Sequence, residues 1–159
     1  MIGAGPEPAT QAGSKPAGFQ GDPGAPGEFA VHEHALEIPA TPDAEATLFA
    51  PSRDGGNSIA QGGNFPLIVL LPGFGASFRT YAFMIKHLVS WGHVVIGINF
   101  ENPSDHVASA RQVQKTIDWA LDPRNSIAAV IDRDKIATAG HSFGGKIAVY
   151  AASGDANPK

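Results

Sequence analysis

The sequence has no cysteine among its 159 residues. That excludes a disulfide scaffold, a thiol nucleophile and any thiolate metal site, and it leaves the compartment undecided. Positive charge is also short: 11 Lys and Arg stand against 15 Asp and Glu, a formal net charge of −4. A mildly acidic chain gives no electrostatic reason to bind nucleic acid. No apolar run approaches the ~18–20 residues of a membrane span. The first 28 residues lack the basic start and the apolar core of ~7–15 residues that mark an export signal. Localisation therefore stays open, since a signal could have lain upstream. The six histidines stand at positions 32, 34, 87, 93, 106 and 141, and none lies beyond.

Glycine and proline are abundant instead, 19 and 13 residues, well above the ~12% of an average chain. They crowd the start. Residues 1–28 hold 7 Gly and 5 Pro, with only Met1, Ile2 and Phe19 as large apolar residues. Such a segment cannot bury enough to offset its ordering entropy, so it reads as a disordered lead-in to one domain spanning 29–159. Gly18, Gly21, Gly24 and Gly27 recur every third residue, but four glycines are too short an array for a collagen-like helix. The remainder has ordinary apolar and charged content, 43% and 16% for the whole chain, and its length suits a single buried core.

From Phe29 the pattern becomes regular. Phe29–His34 and Ala46–Ala50 read as short strands bounded by prolines, an antiparallel opening to a sheet. Ser52–Asn64 reads as a loop. Leu67–Leu71 is a run of five apolar residues, as in a strand buried on both faces. Pro72-Gly73-Phe74-Gly75 stops it, and Ser77 is placed to cap an amphipathic helix over Phe78–Trp91, ended by Gly92. Val94–Ile98 is a second buried strand, Val107–Leu121 a second helix stopped by Asp122-Pro123, and Lys135–Ala139 a third strand. Ile147–Ala152 forms the body of a third helix. Alternating strands and helices predict an α/β fold with a mostly parallel sheet and right-handed crossovers.

Gly140-His141-Ser142-Phe143-Gly144 is a G-x-S-x-G motif between a strand and a helix. The strand-to-helix turn is tight and strains Ser142, and a Cβ at Gly140 or Gly144 would collide with neighbouring backbone. The turn lifts the Ser142 hydroxyl above the strand ends and aims the Phe143 amide at the same space, where an oxyanion can develop. A second donor belongs in the loop after the first buried strand, at Phe74, with Gly75 as the alternative.

Other readings use the same residues. Gly140 to Lys146 fits the G-x-x-x-x-G-K of a phosphate-binding loop, but Ile147 stands where that motif needs a Mg²⁺-binding hydroxyl. Ser142 could serve only as a helix N-cap, or the fold could host a binding module without a reactive serine. His141 is expected to point away from the Ser142 hydroxyl into packing. His106, beside Asp105, is the candidate for an out-of-order base. His32 and His34 alternate on one strand at a spacing that could serve a metal, yet no third ligand is evident nearby, so no metal site is assigned.

Leu71-Pro72-Gly73-Phe74-Gly75-Ala76-Ser77, followed by Gly140-His141-Ser142-Phe143-Gly144-Gly145-Lys146, resembles the α/β-hydrolase superfamily. Within it the chain is most similar to serine esterases of the polyester hydrolase, cutinase and chlorophyllase-like group. The resemblance implies helices on both faces of the sheet and a carboxylic ester as small-molecule or polymeric substrate. It assigns the nucleophile to Ser142, the oxyanion amides to Phe74 and Phe143, and the elbow glycines to Gly140 and Gly144. It implies no organic cofactor and no metal. Phe143 departs from a frequent Met, which does not touch the backbone role. The family's triad runs Ser, acid, His, and here Asp155 is the sole acid after Ser142. The expectation is an N-terminal portion, truncated after the nucleophile-elbow helix, inactive alone for want of the acid and the histidine.

Overall fold

The computed structural model describes residues 22–154. Their elements run β1 (Ala30–Leu36), β2 (Ala46–Ser52), β3 (Phe65–Leu71), a 3-10 turn (Phe78–Tyr81), α1 (Ala82–Ser90), β4 (Val94–Ile98), α2 (His106–Leu121), a second 3-10 turn (Ser126–Ala129), β5 (Ile131–Gly140) and α3 (Phe143–Ala152). The five strands form one sheet in the order β1-β2-β4-β3-β5. β3 pairs in parallel with β4 and β5, whereas β1–β2 and β2–β4 are antiparallel. The antiparallel opening and the parallel centre are as the sequence predicts. Among the described residues the four pairings divide evenly, so the sheet is mixed and its parallel share is smaller than expected.

The continuous apolar runs divide strictly by the two-residue period of a strand. Leu67, Val69, Leu71, Val94, Ile96 and Ile98 face one core layer, completed by Ala110 and Val113 of α2 and Ile147 and Ala151 of α3. Leu70, Val95 and Phe49 face the other, closed by Phe78 and by Ile85 and Val89 of α1. Helices therefore cover both faces, and each buried aliphatic side chain contributes roughly 1.5–3 kcal/mol.

Two elements differ from the sequence reading. The helix expected from Phe78 begins as a 3-10 turn and becomes α-helical only at Ala82. The Phe78 ring is fully buried over Gly97, where a Cβ would come within 2.5 Å of it, and the Phe78 N–H donates to Asn99 Oδ1. These anchors fix the first turn before the α-helix starts. Ser77 caps it as expected, accepting from the Arg79 N–H, and Gly92 closes α1 at φ +82°. β5 starts at Ile131 rather than Lys135, because Phe65 pairs with Ile131 and Leu67 already with Ile136. The intervening Asp132–Lys135 bulge is held by the Lys135–Asp132 ion pair and by the Asp134 N–H on Asp132.

Most of the expected lead-in, residues 1–21, lies outside the described residues, as does Asp155. The remaining lead-in residues contact the end of α1. The Gly27 N–H donates to Ser90 Oγ, and the indole of Trp91 to the Ala25 carbonyl. A Cβ on Gly27 would lie 2.1 Å from the Ser90 carbonyl oxygen.

Candidate active site

Three loops leave the C-terminal edge of the parallel strands: Pro72–Ser77 after β3, Asn99–Asp105 after β4, and the turn at His141–Ser142 after β5. In open α/β sheets this edge is where ligands bind. The carboxylates held below their usual range, Asp54, Asp122 and Asp132, lie at the opposite edge, each lowered chiefly by hydrogen bonds to neighbouring side chains.

Ser142 sits at φ +52°, ψ −115°, and it is the one non-glycine residue with positive φ among the described residues. Crowding on both sides explains the turn. A Cβ on Gly140 would stand 2.4 Å from the Gly144 carbonyl carbon, and one on Gly144 would stand 2.4 Å from the Leu71 carbonyl oxygen. The first turn of α3 therefore lies directly on the end of β3. Backbone strain of this kind costs of order 1–3 kcal/mol and persists only where the surroundings impose it. Ser142 occupies the N-cap position of α3 yet makes no side-chain cap bond, which removes helix capping as its explanation. Its side chain is exposed and unpartnered among the described residues.

Gly73 to Ala76 forms a four-residue turn closed by the Ala76 N–H on the Gly73 carbonyl at 3.0 Å, with Gly75 at φ +69°. Positive φ at the third position is what a type II turn demands of glycine. The His141 N–H donates to the Leu71 carbonyl at 3.2 Å, which joins this loop to the elbow. The N–H of Phe74 has no acceptor among the described residues, and that of Phe143, first in its helix, has no intrahelical one.

The side chains around Ser142 are aromatic. Phe74, 65% exposed, meets the Phe143 ring edge-on at 6.0 Å, and Phe100 meets it at 5.2 Å. Phe74 and Phe100 come from the first two of those loops, and Phe143 opens α3 directly after the third. A cleft of about 230 Å³ lies between the first two loops, lined by Gly73, Gly75, Ala76, Asn99, Phe100 and Pro103.

No histidine bonds the Ser142 hydroxyl. His106 packs on the Phe143 ring at 5.2 Å and bonds Lys146 Nζ through Nδ1 at 3.0 Å. His141 does not pack inward as expected. It is exposed, and its Nδ1 lies 3.0 Å from the Tyr81 hydroxyl. Tyr81 was legible only as one apolar position of a helix, so this contact and the Lys146–His106 pair escaped the sequence reading. His32 and His34 stack at 6.4 Å, with His32 Nδ1 against the Gly56 carbonyl, and no metal-binding cluster occurs among the described residues. Ile147, where a phosphate-binding loop needs a hydroxyl, is fully buried.

The family model described as PETase, PET hydrolase-like, matches residues 11–159. The chain belongs to the PET hydrolase-like family. Among its relatives, a bis(hydroxyethyl) terephthalate hydrolase of Streptomyces coelicolor is 31% identical over 145 residues, 87% of this chain and 45% of that protein. Cutinase est1 of Thermobifida alba is 29% identical over 122 residues, 75% of this chain and 38% of that protein. The chain thus spans less than half the length of these two curated relatives. A solved ferulic acid esterase from Streptomyces cinnamoneus superposes with a TM-score of 0.60 at 22% identity, covering 83% of this chain and 58% of that one. The fold is that of an α/β-hydrolase.

Proposed function

We propose that Ser142 is the nucleophile of a carboxylic-ester hydrolase and that the amides of Phe74 and Phe143 bind the oxyanion. The strained, uncapped backbone at Ser142, set between two glycines that admit no Cβ, carries this reading. Such strain has no use in a cap or a plain loop. It suits a hydroxyl that must stand clear of the helix behind it.

In the reaction, Ser142 Oγ attacks the ester carbonyl carbon as a base removes its proton. The carbonyl oxygen becomes the oxyanion between the two amides, and its collapse expels the alcohol, which takes up the proton. Water then attacks the acyl-enzyme through a second oxyanion, releasing the acid and restoring Ser142. Each amide donor supports charge present only in the transition state, and losing one costs roughly 2.7–4 kcal/mol of barrier. The aromatic rings of Phe74, Phe100 and Phe143 suit an acyl group with extended apolar or ring character. That accords with the terephthalate ester named for one relative and with the cutinases.

On this reading Ser142 and the two amides act as nucleophile and oxyanion donors, and none of the six histidines bonds the Ser142 hydroxyl. This chain by itself is therefore expected to hydrolyse p-nitrophenyl acetate only slowly, above the buffer blank, and equally in wild type and Ser142→Ala. Oxyanion stabilisation alone sustains that residual rate. A wild-type rate equal to the blank would count against the oxyanion donors. Rapid turnover abolished by Ser142→Ala would show that the chain contains its own base.

A further inference from the structure

Tyr81 and His141 stand 60 residues apart in sequence and on opposite halves of the site. One ends the 3-10 turn after the Pro72–Ser77 loop, and the other precedes Ser142. The Tyr81 hydroxyl accepts from the Gly73 N–H at 3.4 Å and lies 3.0 Å from His141 Nδ1. On the far side His141 is held to β3 by its own N–H on the Leu71 carbonyl. A Cβ on Gly73 would come within 3.2 Å of the same Nδ1, so the imidazole rests directly on the loop backbone.

We propose that the Tyr81 hydroxyl is a positioning device that ties the Phe74 loop to the elbow through His141 and so sets the separation of the two oxyanion amides. This rests on the ester-hydrolase reading for its catalytic meaning. The hydroxyl has one proton and two lone pairs. With one lone pair engaged by the Gly73 N–H, the hydroxyl either donates to a bare His141 Nδ1 or accepts from a protonated one in its second lone pair, and both close the tie. The geometry around Tyr81 supports a dedicated role. The residue occupies the N-cap position of α1 without capping it, and the chain departs from a continuous helix there. A tie of this kind acts on catalysis through distance, because small displacements of a positioned donor lower the rate steeply.

Tyr81→Phe removes the oxygen and keeps the ring. Hydrogen exchange at the hydrogen-bonded amides of Gly73, Ala76 and position 141 is expected to accelerate roughly tenfold, while Val69 and Ile96 in the sheet stay unchanged. His141→Leu should do the same, and His141→Asn, whose side-chain amide can replace Nδ1 as donor or acceptor, should restore protection. Nitrogen NMR of the wild-type chain should find the His141 ring held in a single tautomer by this contact, a readout that needs no variant to fold. The residual p-nitrophenyl acetate rate of Tyr81→Phe should fall in kcat by roughly three- to tenfold with KM unchanged. Uniform acceleration of exchange across the sheet, no change at the three site amides, or a mixture of His141 ring tautomers would overturn the proposal. A wild-type rate equal to the blank, with the local exchange pattern intact, would count against the hydrolase reading and leave the tie standing.

Discussion

The elbow at Gly140–Gly145 and the loop at Ser52–Asn64 are both rich in glycine, for different reasons. In the elbow, Gly140 and Gly144 have no room: a Cβ on either would lie 2.4 Å from backbone atoms. In the loop, Gly55 and Gly62 have open space around the missing Cβ but sit at φ +76° and +72°, whereas Gly56 and Gly63 are crowded by the Val31 carbonyl oxygen at 2.7 Å and the Phe65 ring at 2.3 Å. At Gly140 and Gly144 packing selects glycine, and at Gly55 and Gly62 backbone conformation does. The elbow then adds what the loop lacks, a serine in a conformation that favours glycine. The loop is held conventionally, by Asp54 accepting from the hydroxyls of Ser52 and Ser58 at 2.6 Å each. Strain without a local hydrogen bond to justify it is what separates a reactive turn from a structural one.

The contrast can be broken in order of effect. Gly144→Ala should destabilise by about 3 kcal/mol or more, since rigid backbone opposes the new methyl, and urea unfolding measures it. Gly62→Ala should cost only about 1 kcal/mol, through φ alone. Equal costs would erase the distinction between the regions. Ser142→Gly should stabilise the chain by about 1 kcal/mol, the relieved strain less the added entropy of unfolded glycine, whereas Ser142→Ala should leave stability unchanged. The smallest effect belongs to the loop in acid. The Asp54 carboxyl is held below its ordinary range, first by the Ser52 hydroxyl and then by Ser58. A depressed folded pKa gives stability that is present above the unfolded value of ~3.9 and lost as pH falls through the folded one. Asp54→Asn should therefore unfold at lower urea than wild type at pH 7, and the two midpoints should converge below pH ~4.

The parts of the fold written locally were legible in advance. Leu67–Leu71 and Val94–Ile98 announce themselves because burial on both faces removes polar residues from the run. Ser77 and Gly92 mark the ends of a helical segment because capping is a matter of one or two residues, and Ser77 does accept from the Arg79 N–H at 3.2 Å. Gly140, Ser142 and Gly144 were legible because strand, glycine, serine, glycine and helix follow without interruption. What escaped depends on distant residues. The Asp132–Lys135 bulge is polar throughout and resembles a loop. The 3-10 turn at Phe78 has the same apolar spacing as a helix, and only Gly97, 19 positions on, makes the Phe78 anchor fit. The three-ring cluster and the Tyr81–His141 contact join loops that meet only after the sheet has formed.

The central claim, that position 142 presents a nucleophile to two oxyanion donors, can be tested without relying on a general base. A thiol ionises near neutral pH by itself, more readily at a helix N-terminus, and the chain contains no other cysteine. Ser142→Cys should release a stoichiometric burst of p-nitrophenolate from p-nitrophenyl acetate and carry one acetyl group at position 142. When rates are corrected for thiolate fraction, acylation should be at least about tenfold faster than in an exposed control, Ser104→Cys. Equal corrected rates would mean that no oxyanion donors act at position 142, and the account would fail there.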